Sequence, residues 1–254
     1  MRRVIGLVVA WACWGGPVWA FDHGHEVWTD WLSRMVDVQG RVDYRAAKAD
    51  EASLNGYLAE LDAVSPDQYR SWTRDQQLAT LLNLYNASTV GLILRNEPVT
   101  SIRDIGTLLR GPWEQPSVRW FGRRTTLSAL HHQMIVPLFN DDRIAFALHR
   151  AAVSSPPLRR EAYVAADLDA QLEDQRRRFL VDPAFNRVGP DLATWKISEL
   201  FQWEATSILR TTADPATYIA HALGWTLPDP PPRIEYRPFN WALNRQPVPT
   251  QERP

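Results

Sequence analysis

The stretch from Thr73 to Arg95, "TRDQQLATLLNLYNASTVGLILR", constrains the fold of this chain more than any other. Its first four residues read as a capping box, in which the threonine hydroxyl serves a backbone N–H and the glutamine side chain answers at the cap. Beyond it, Leu78, Leu81, Leu82, Tyr85 and Ile93 make one apolar face, and Ala79, Val90 and Leu94 make the other side apolar too. A helix that is apolar all round belongs in an interior, so the rest of the chain must wrap it. Yet it carries Asn83 and Asn86, three residues apart and therefore neighbours on one surface. A buried amide without partners costs about 1–3 kcal/mol, so both need hydrogen bonds. They either pin adjacent loops, the commoner use of a buried amide, or line a cleft and bind a ligand.

The wrapping elements follow from periodicity and punctuation. Val27 to Val38 sets Trp28, Trp31, Leu32, Met35 and Val36 on one helical face, and Gly40 stops it. Ala46 to Val64 repeats the pattern through Leu54, Leu58 and Leu61, and Ser65-Pro66 is a cap followed by proline at the first helical position. "SIRDIGTLLRG" reads as a short helix ended by Gly111, and "SVRWFGRRTTL" as a hairpin around Gly122. Ser128 is placed to cap a helix that holds His131 and His132 and breaks at Pro137. Arg143 to His149 alternates and reads as a strand. Asp167 to Leu180 is helical, "NRVGPDLATWKI" reads as a second hairpin, Ser198 to about Arg210 is helical, and Asp214-Pro215 opens a helix ending near Gly224. A proline-rich stretch begins at Pro228, and Ile234 to Tyr236 is placed to pair back as an edge strand. Trp28, Trp31 and Trp203 are assigned to packing rather than to a binding platform. The expected architecture is α+β: a mainly helical single domain with a buried central helix and one or two small antiparallel sheets. It spans residues 21–244, followed by a Pro-rich tail at 245–254.

The start of the chain, "MRRVIGLVVAWACWGGPVWA", has a basic n-region at Arg2 and Arg3, an apolar run from Val4 to Trp14, and small residues at Val18 and Ala20. It reads as a secretory signal peptide over residues 1–20, giving a periplasmic or secreted protein that starts at Phe21. An uncleaved anchor and lipidation at Cys13 are the alternatives. Cys13 is the single cysteine, so cleavage leaves no thiol for a disulfide, a thiolate-bound metal or a cysteine nucleophile. The formal charge of −1 gives no electrostatic reason to expect nucleic acid, and no run beyond the leader is long and apolar enough to cross a bilayer. No cofactor is expected. A chain beginning at Phe21 would present a free amine, two amides and the His23 imidazole, a square-planar nitrogen set suited to Cu(II) or Ni(II).

No glycine-rich phosphate loop, His-Glu-x-x-His helix or Gly-x-Ser-x-Gly elbow occurs. The polar residues that remain are His131, His132, His149, Arg150, Ser154 and Ser155, with the two asparagines. Adjacent histidines on an α-helix sit about 100° apart, so one of His131 and His132 is expected to face inward and the other outward. These residues lie in segments that resemble a known family. "LLNLYNASTV" is similar to its Asn-x-Tyr-Asn-Ala helix, "SIRDIG" to the segment after it, and "TLSALHHQMI" to its helix with an acidic residue before His. "RIAFALHRAAVSSPPL" resembles its Phe-Ala-Leu-x-Cys strand running into a Ser-Cys-Pro or Ser-Ser-Pro loop, and "ISELFQW" and "FNWALN" resemble its later motifs. The family is domain of unknown function 547, and the resemblance runs from Val42 to Asn244. Asn83, Asn86 and His132 match the motifs. Arg150 stands where relatives place Cys, and His131 where they place an acid.

An arginine is permanently protonated and is neither nucleophile nor base, so thiol chemistry at position 150 is excluded. Two readings follow. In the first, the protein is an exported binding or accessory protein, a fold that has exchanged its reactive centre. Arg150 then offers a multi-donor contact to a small anionic ligand, with Asn83, Asn86 and His149 as further binding candidates. Its bland counterpart is a structural Arg150 paired with Glu161 or Asp142. In the second, it is a hydrolase or transferase that uses Ser154 or Ser155 as nucleophile with His132 as base. Against it, Ser-Ser-Pro-Pro is a common turn whose hydroxyls cap the backbone.

Overall fold

The computed structural model describes residues 21–210, 212 and 214–247; residues 1–20, which the sequence reads as a signal peptide and which contain Cys13, lie outside them. The central helix, α5, runs Arg74–Asn96, and every residue from Leu78 to Leu94 is buried. Its start is the expected capping box: the Gln76 N–H donates to the Thr73 hydroxyl (3.2 Å) and the Thr73 N–H to the Gln76 side chain (2.9 Å). Around it pack α1 (Glu26–Met35), α2 (Tyr44–Ala49), α3 (Glu51–Asp62) and α4 (Pro66–Ser71). The single helix expected over Ala46–Val64 is therefore two. Asp50 separates them, its carboxylate accepting from the Ser53 hydroxyl (2.6 Å) and from Arg34 (2.8 Å).

Two small sheets are present among the described residues. Val118–Trp120 (β1) and Arg123–Thr125 (β2) form the expected antiparallel hairpin, with Phe121 and Gly122 both at positive φ in the turn. The second sheet is parallel: Thr194–Ser198 (β3) pairs with Arg233–Arg237 (β4) in register Thr194↔Arg233 to Ser198↔Arg237. The edge strand expected near Ile234 does pair back. The chain reaches it through the helices Leu200–Trp203, Ala205–Ile208 and Pro215–Leu223, a crossover long enough for parallel pairing. The hairpin expected over Asn186–Ile197 is reduced to one antiparallel bridge, Arg187↔Lys196.

Two further expectations are corrected. "SIRDIG" makes only a single 3-10 turn, Ile102–Asp104: the Asp104 carboxylate caps its start, taking the Thr100 N–H and hydroxyl and the Ser101 N–H, and the chain is already extended at Ile105. Arg143 to His149 is not a strand: Ile144–Ala147 is a short helix, and all residues from Ile144 to Ala152 are buried. Period-two and all-round burial look alike over so few residues. The helix lets one segment serve two apolar clusters. Ile144, Ala147 and Leu148 join the large cluster around α5, while Ala145 and Phe146 join a second one with Phe179, Trp195, Phe201 and Ile219. The loop after it is thereby held between the two cores.

Candidate functional site

Six separate parts of the chain converge on one cleft of about 240 Å³, lined by Tyr85 from α5, Trp113 and Glu114, Ser128, His131 and His132, then Arg150, Glu204 and Trp241. Each wall has a local cause. The histidines sit on a helical run that begins at Leu127–Ala129, capped by Thr126 (Ala129 N–H to the Thr126 hydroxyl, 2.9 Å) rather than by Ser128. Leu130–Ile135 then forms a π-helical turn, with the Val136 N–H bonded to the His131 carbonyl, and the run continues through Val136–Phe139. The expected break at Pro137 does not occur. The wider turn absorbs the missing N–H, and such turns recur at functional sites. Because successive residues on a π turn are separated by a smaller angle than on an α-helix, both histidines reach the cleft. His131 is buried and His132 exposed, with ring centroids 4.1 Å apart.

Arg150 is held by its backbone. The Asn86 side chain donates to the Ala147 carbonyl (3.0 Å) and accepts the His149 N–H (2.9 Å), while the Arg150 N–H donates to the Ser155 hydroxyl (2.7 Å). Ala151 follows at φ 53, a left-handed conformation costly for a residue with a Cβ. Asn83 does the same service elsewhere, pairing with both the N–H (2.9 Å) and the carbonyl (2.7 Å) of Tyr163. Both asparagines therefore spend their amides on backbone, and neither lines the cleft.

Arg150 is 5% exposed and its guanidinium donates to Glu204 at 2.5 Å; Glu204 is 7% exposed. A second donor goes to the Leu148 carbonyl at 3.2 Å. The ion partner is neither Glu161, which pairs with Arg159, nor Asp142, which accepts from Tyr218. Glu204 also lies 3.6 Å from His131 Nε2, so a carboxylate stands beside this pair of histidines although none occupies position 131. Burial pushes the His131 imidazole down to about 4, with Glu204 opposing and Arg150 assisting. It is therefore neutral at pH 7. Burial acts to raise the Glu204 carboxyl, but Arg150 and His131 outweigh it and hold it below the usual carboxylate range. Tyr85 accepts the Trp113 Nε1–H at 3.3 Å, and burial raises its phenol.

The remaining candidates lie apart from this lining. The buried His149 ring meets the Pro156 carbonyl through Nδ1 at 2.8 Å, a contact that requires Nδ1 to carry the proton. Burial lowers this imidazole to about 4. The same Nδ1 is 3.3 Å from the Ser155 hydroxyl, but a protonated nitrogen cannot accept the serine proton. Ser154 accepts the Asn240 N–H at 2.9 Å. Among the described residues no group of three or more His, Cys, Asp or Glu is gathered as a metal site. His23 packs between Phe21 and Trp72, at centroid distances of 5.1 and 4.7 Å.

Glu204, Trp113 and Trp241 were not singled out from the sequence. Glu204 did carry a signal: it stands four residues from both Leu200 and Ile208, so an acid falls on an apolar stripe. Trp203 was assigned to the core, yet it is 45% exposed and stacks on Trp241 at 5.1 Å. Residues 69–180 match the family described as "Protein of unknown function, DUF547". This is a narrower span than Val42–Asn244 and leaves Glu204 and Trp241 outside it. No curated protein and no solved structure matches the chain.

Proposed function

Through residues 69–180 the chain is a member of the family described as a protein of unknown function, DUF547, and on that footing we propose that it is an exported binding or accessory protein whose cleft holds a small ligand with an anionic group. The supporting observation is the buried Arg150–Glu204 pair at the cleft wall, where relatives would place a thiol. Arg150 offers donors beyond the two already engaged, a geometry that suits a carboxylate or phosphate. Its charge is balanced by Glu204, Glu114 is on the lining and His131 is neutral, so a bare anion is poorly matched. The better fit places an acidic group on Arg150 and a hydrogen-bond donor or ammonium on Glu204 or Glu114, beside the edge-to-face pair of Trp113 and Trp241 (centroids 5.6 Å apart) on the lining. The cleft is smaller than the pockets that take drug-sized ligands, which start at about 300 Å³, so the ligand is of metabolite size.

The hydrolase reading gains no supporting contact. The Ser155 hydroxyl is spent on the Arg150 backbone, Ser154 on Asn240, and neither lines the cleft with His132. The periplasmic or secreted location is part of the proposal and rests on the leader sequence. Mass spectrometry of protein purified from its native compartment tests both. The expected result is an N-terminus at Phe21 and a co-purified small acidic molecule, absent from the Arg150→Met/Glu204→Gln variant. A ligand retained in full by that variant would refute the assignment of the cleft.

A further inference from the structure

Residues 106–111 form a turn with no role in the core or the cleft. Thr107 and Arg110 exchange both backbone hydrogen bonds, at 2.9 and 3.2 Å, and leave Leu108 and Leu109 as its tip. The root is braced. The Gln115 side chain donates to the Arg110 carbonyl (2.9 Å) and the Gly111 carbonyl (3.2 Å). Gly106 sits at φ +123, and a Cβ there would lie 2.3 Å from the Arg110 oxygen. This is a built turn, and it presents leucines that are 103% and 92% exposed, the most exposed large apolar residues among those described. Folding gains nothing from them.

We propose that the Leu108–Leu109 turn is a membrane-docking tip that inserts reversibly into a phospholipid bilayer. The area favours lipid over protein. A stable protein interface buries about 800 Å² per partner, whereas two leucines on a polar turn cover only a fraction of that. A bilayer sets no such threshold, because a small apolar tip slides among the acyl chains and gains by its own area alone. Arg110, beside the tip, can lay its stem along lipid and lift its guanidinium to the headgroups. Charge around the turn is balanced, with Arg103 and Arg110 against Asp104 and Glu114, so attraction is apolar and depends little on lipid charge. No helix among the described residues is long and apolar enough to cross a membrane, so the tip provides peripheral contact. Its root at Gly111 is two residues from Trp113, a wall of the cleft, so docking brings the cleft near the lipid surface. This inference is independent of the ligand proposal.

The test is co-sedimentation with phosphatidylcholine vesicles and with mixed phosphatidylcholine–phosphatidylglycerol vesicles, using protein beginning at Phe21. Each leucine should contribute roughly ten- to a hundred-fold in partition. Leu108→Ser and Leu109→Ser should each weaken binding by that factor and the double variant should abolish it. Leu138→Ser, at another exposed leucine, should leave partition unchanged, as should added salt. Circular dichroism checks that the variants fold, which an exposed tip should not disturb. Wild-type protein that stays with the supernatant in both vesicle types, or a double variant that sediments equally, overturns the proposal. So does a concentration-dependent dimer lost in the double variant, which would assign the tip to self-association.

Discussion

Replacing Arg150 with methionine strands the Glu204 carboxylate in a wall of the cleft where 7% of the residue meets solvent. Removing one partner of a buried pair costs about 3–5 kcal/mol, because the remaining charge has lost its compensation. For a domain of this size that corresponds to a fall in Tm of roughly 6–20 °C. One relief is available: His131 Nε2 lies 3.6 Å from Glu204. Without Arg150 pushing it down, His131 should take up a proton more readily, and its titration, followed by NMR, should move up from about 4. The double variant Arg150→Met/Glu204→Gln removes both charges and should recover most of the loss, since apolar or neutral replacements of a buried pair are often close to neutral. Urea unfolding of all four members of the cycle at neutral pH measures the coupling directly, and it should exceed about 2 kcal/mol, above the ~0–1 kcal/mol of surface pairs. A single variant that loses less than about 1 kcal/mol would mean a solvated pair and a wet cleft, and the view of Arg150 as a held, desolvated donor would be wrong.

Asn86→Leu should cost about 2–5 kcal/mol by orphaning the Ala147 carbonyl and the His149 N–H; amide exchange should speed up at His149 in this variant, and at Tyr163 instead in Asn83→Leu. Acid should destabilise the fold between about pH 6.5 and 4, because burial lowers His25, His131 and His149 to about 4 each. Protons then bind the unfolded chain first, so stability is complete above 6.5 and falls by up to about 3 kcal/mol per histidine as pH drops; a flat urea midpoint across that range would contradict it. Ser155→Ala should cost about 1–3 kcal/mol through the orphaned Arg150 N–H, and a serine-reactive probe should label wild type, Ser154→Ala and Ser155→Ala equally weakly; label lost in one variant alone would revive the hydrolase reading. Copper titrated into protein beginning at Phe21 should give a visible d–d band that His23→Ala lacks, and identical spectra would end that proposal.

Local rules were legible without coordinates wherever partners lie within a few residues. The Thr73–Gln76 box, the Ser65-Pro66 start, the Asp214 cap with Gly224 at φ 68 and the hairpin at Gly122 all formed as expected. So did the interior position of the Arg74–Asn96 helix, because a segment with no polar face has no stable place at the surface. The sequence alone also determined that Arg150 carries a permanent charge at the loop. What it could not determine were pairings across long separations: Arg150 with Glu204 at 54 residues, Tyr44 with Asn244 at 200, and β3 with β4 in parallel. The Ile144–Ala147 segment shows why. Its residues are apolar on every side, so its backbone conformation was decided by the two cores it joins rather than by its own pattern. The cleft is likewise a tertiary product, since its walls come from distant stretches whose local signals point to packing and capping. Only the closure of the chain around α5 brought a guanidinium, a carboxylate and two imidazoles to one opening.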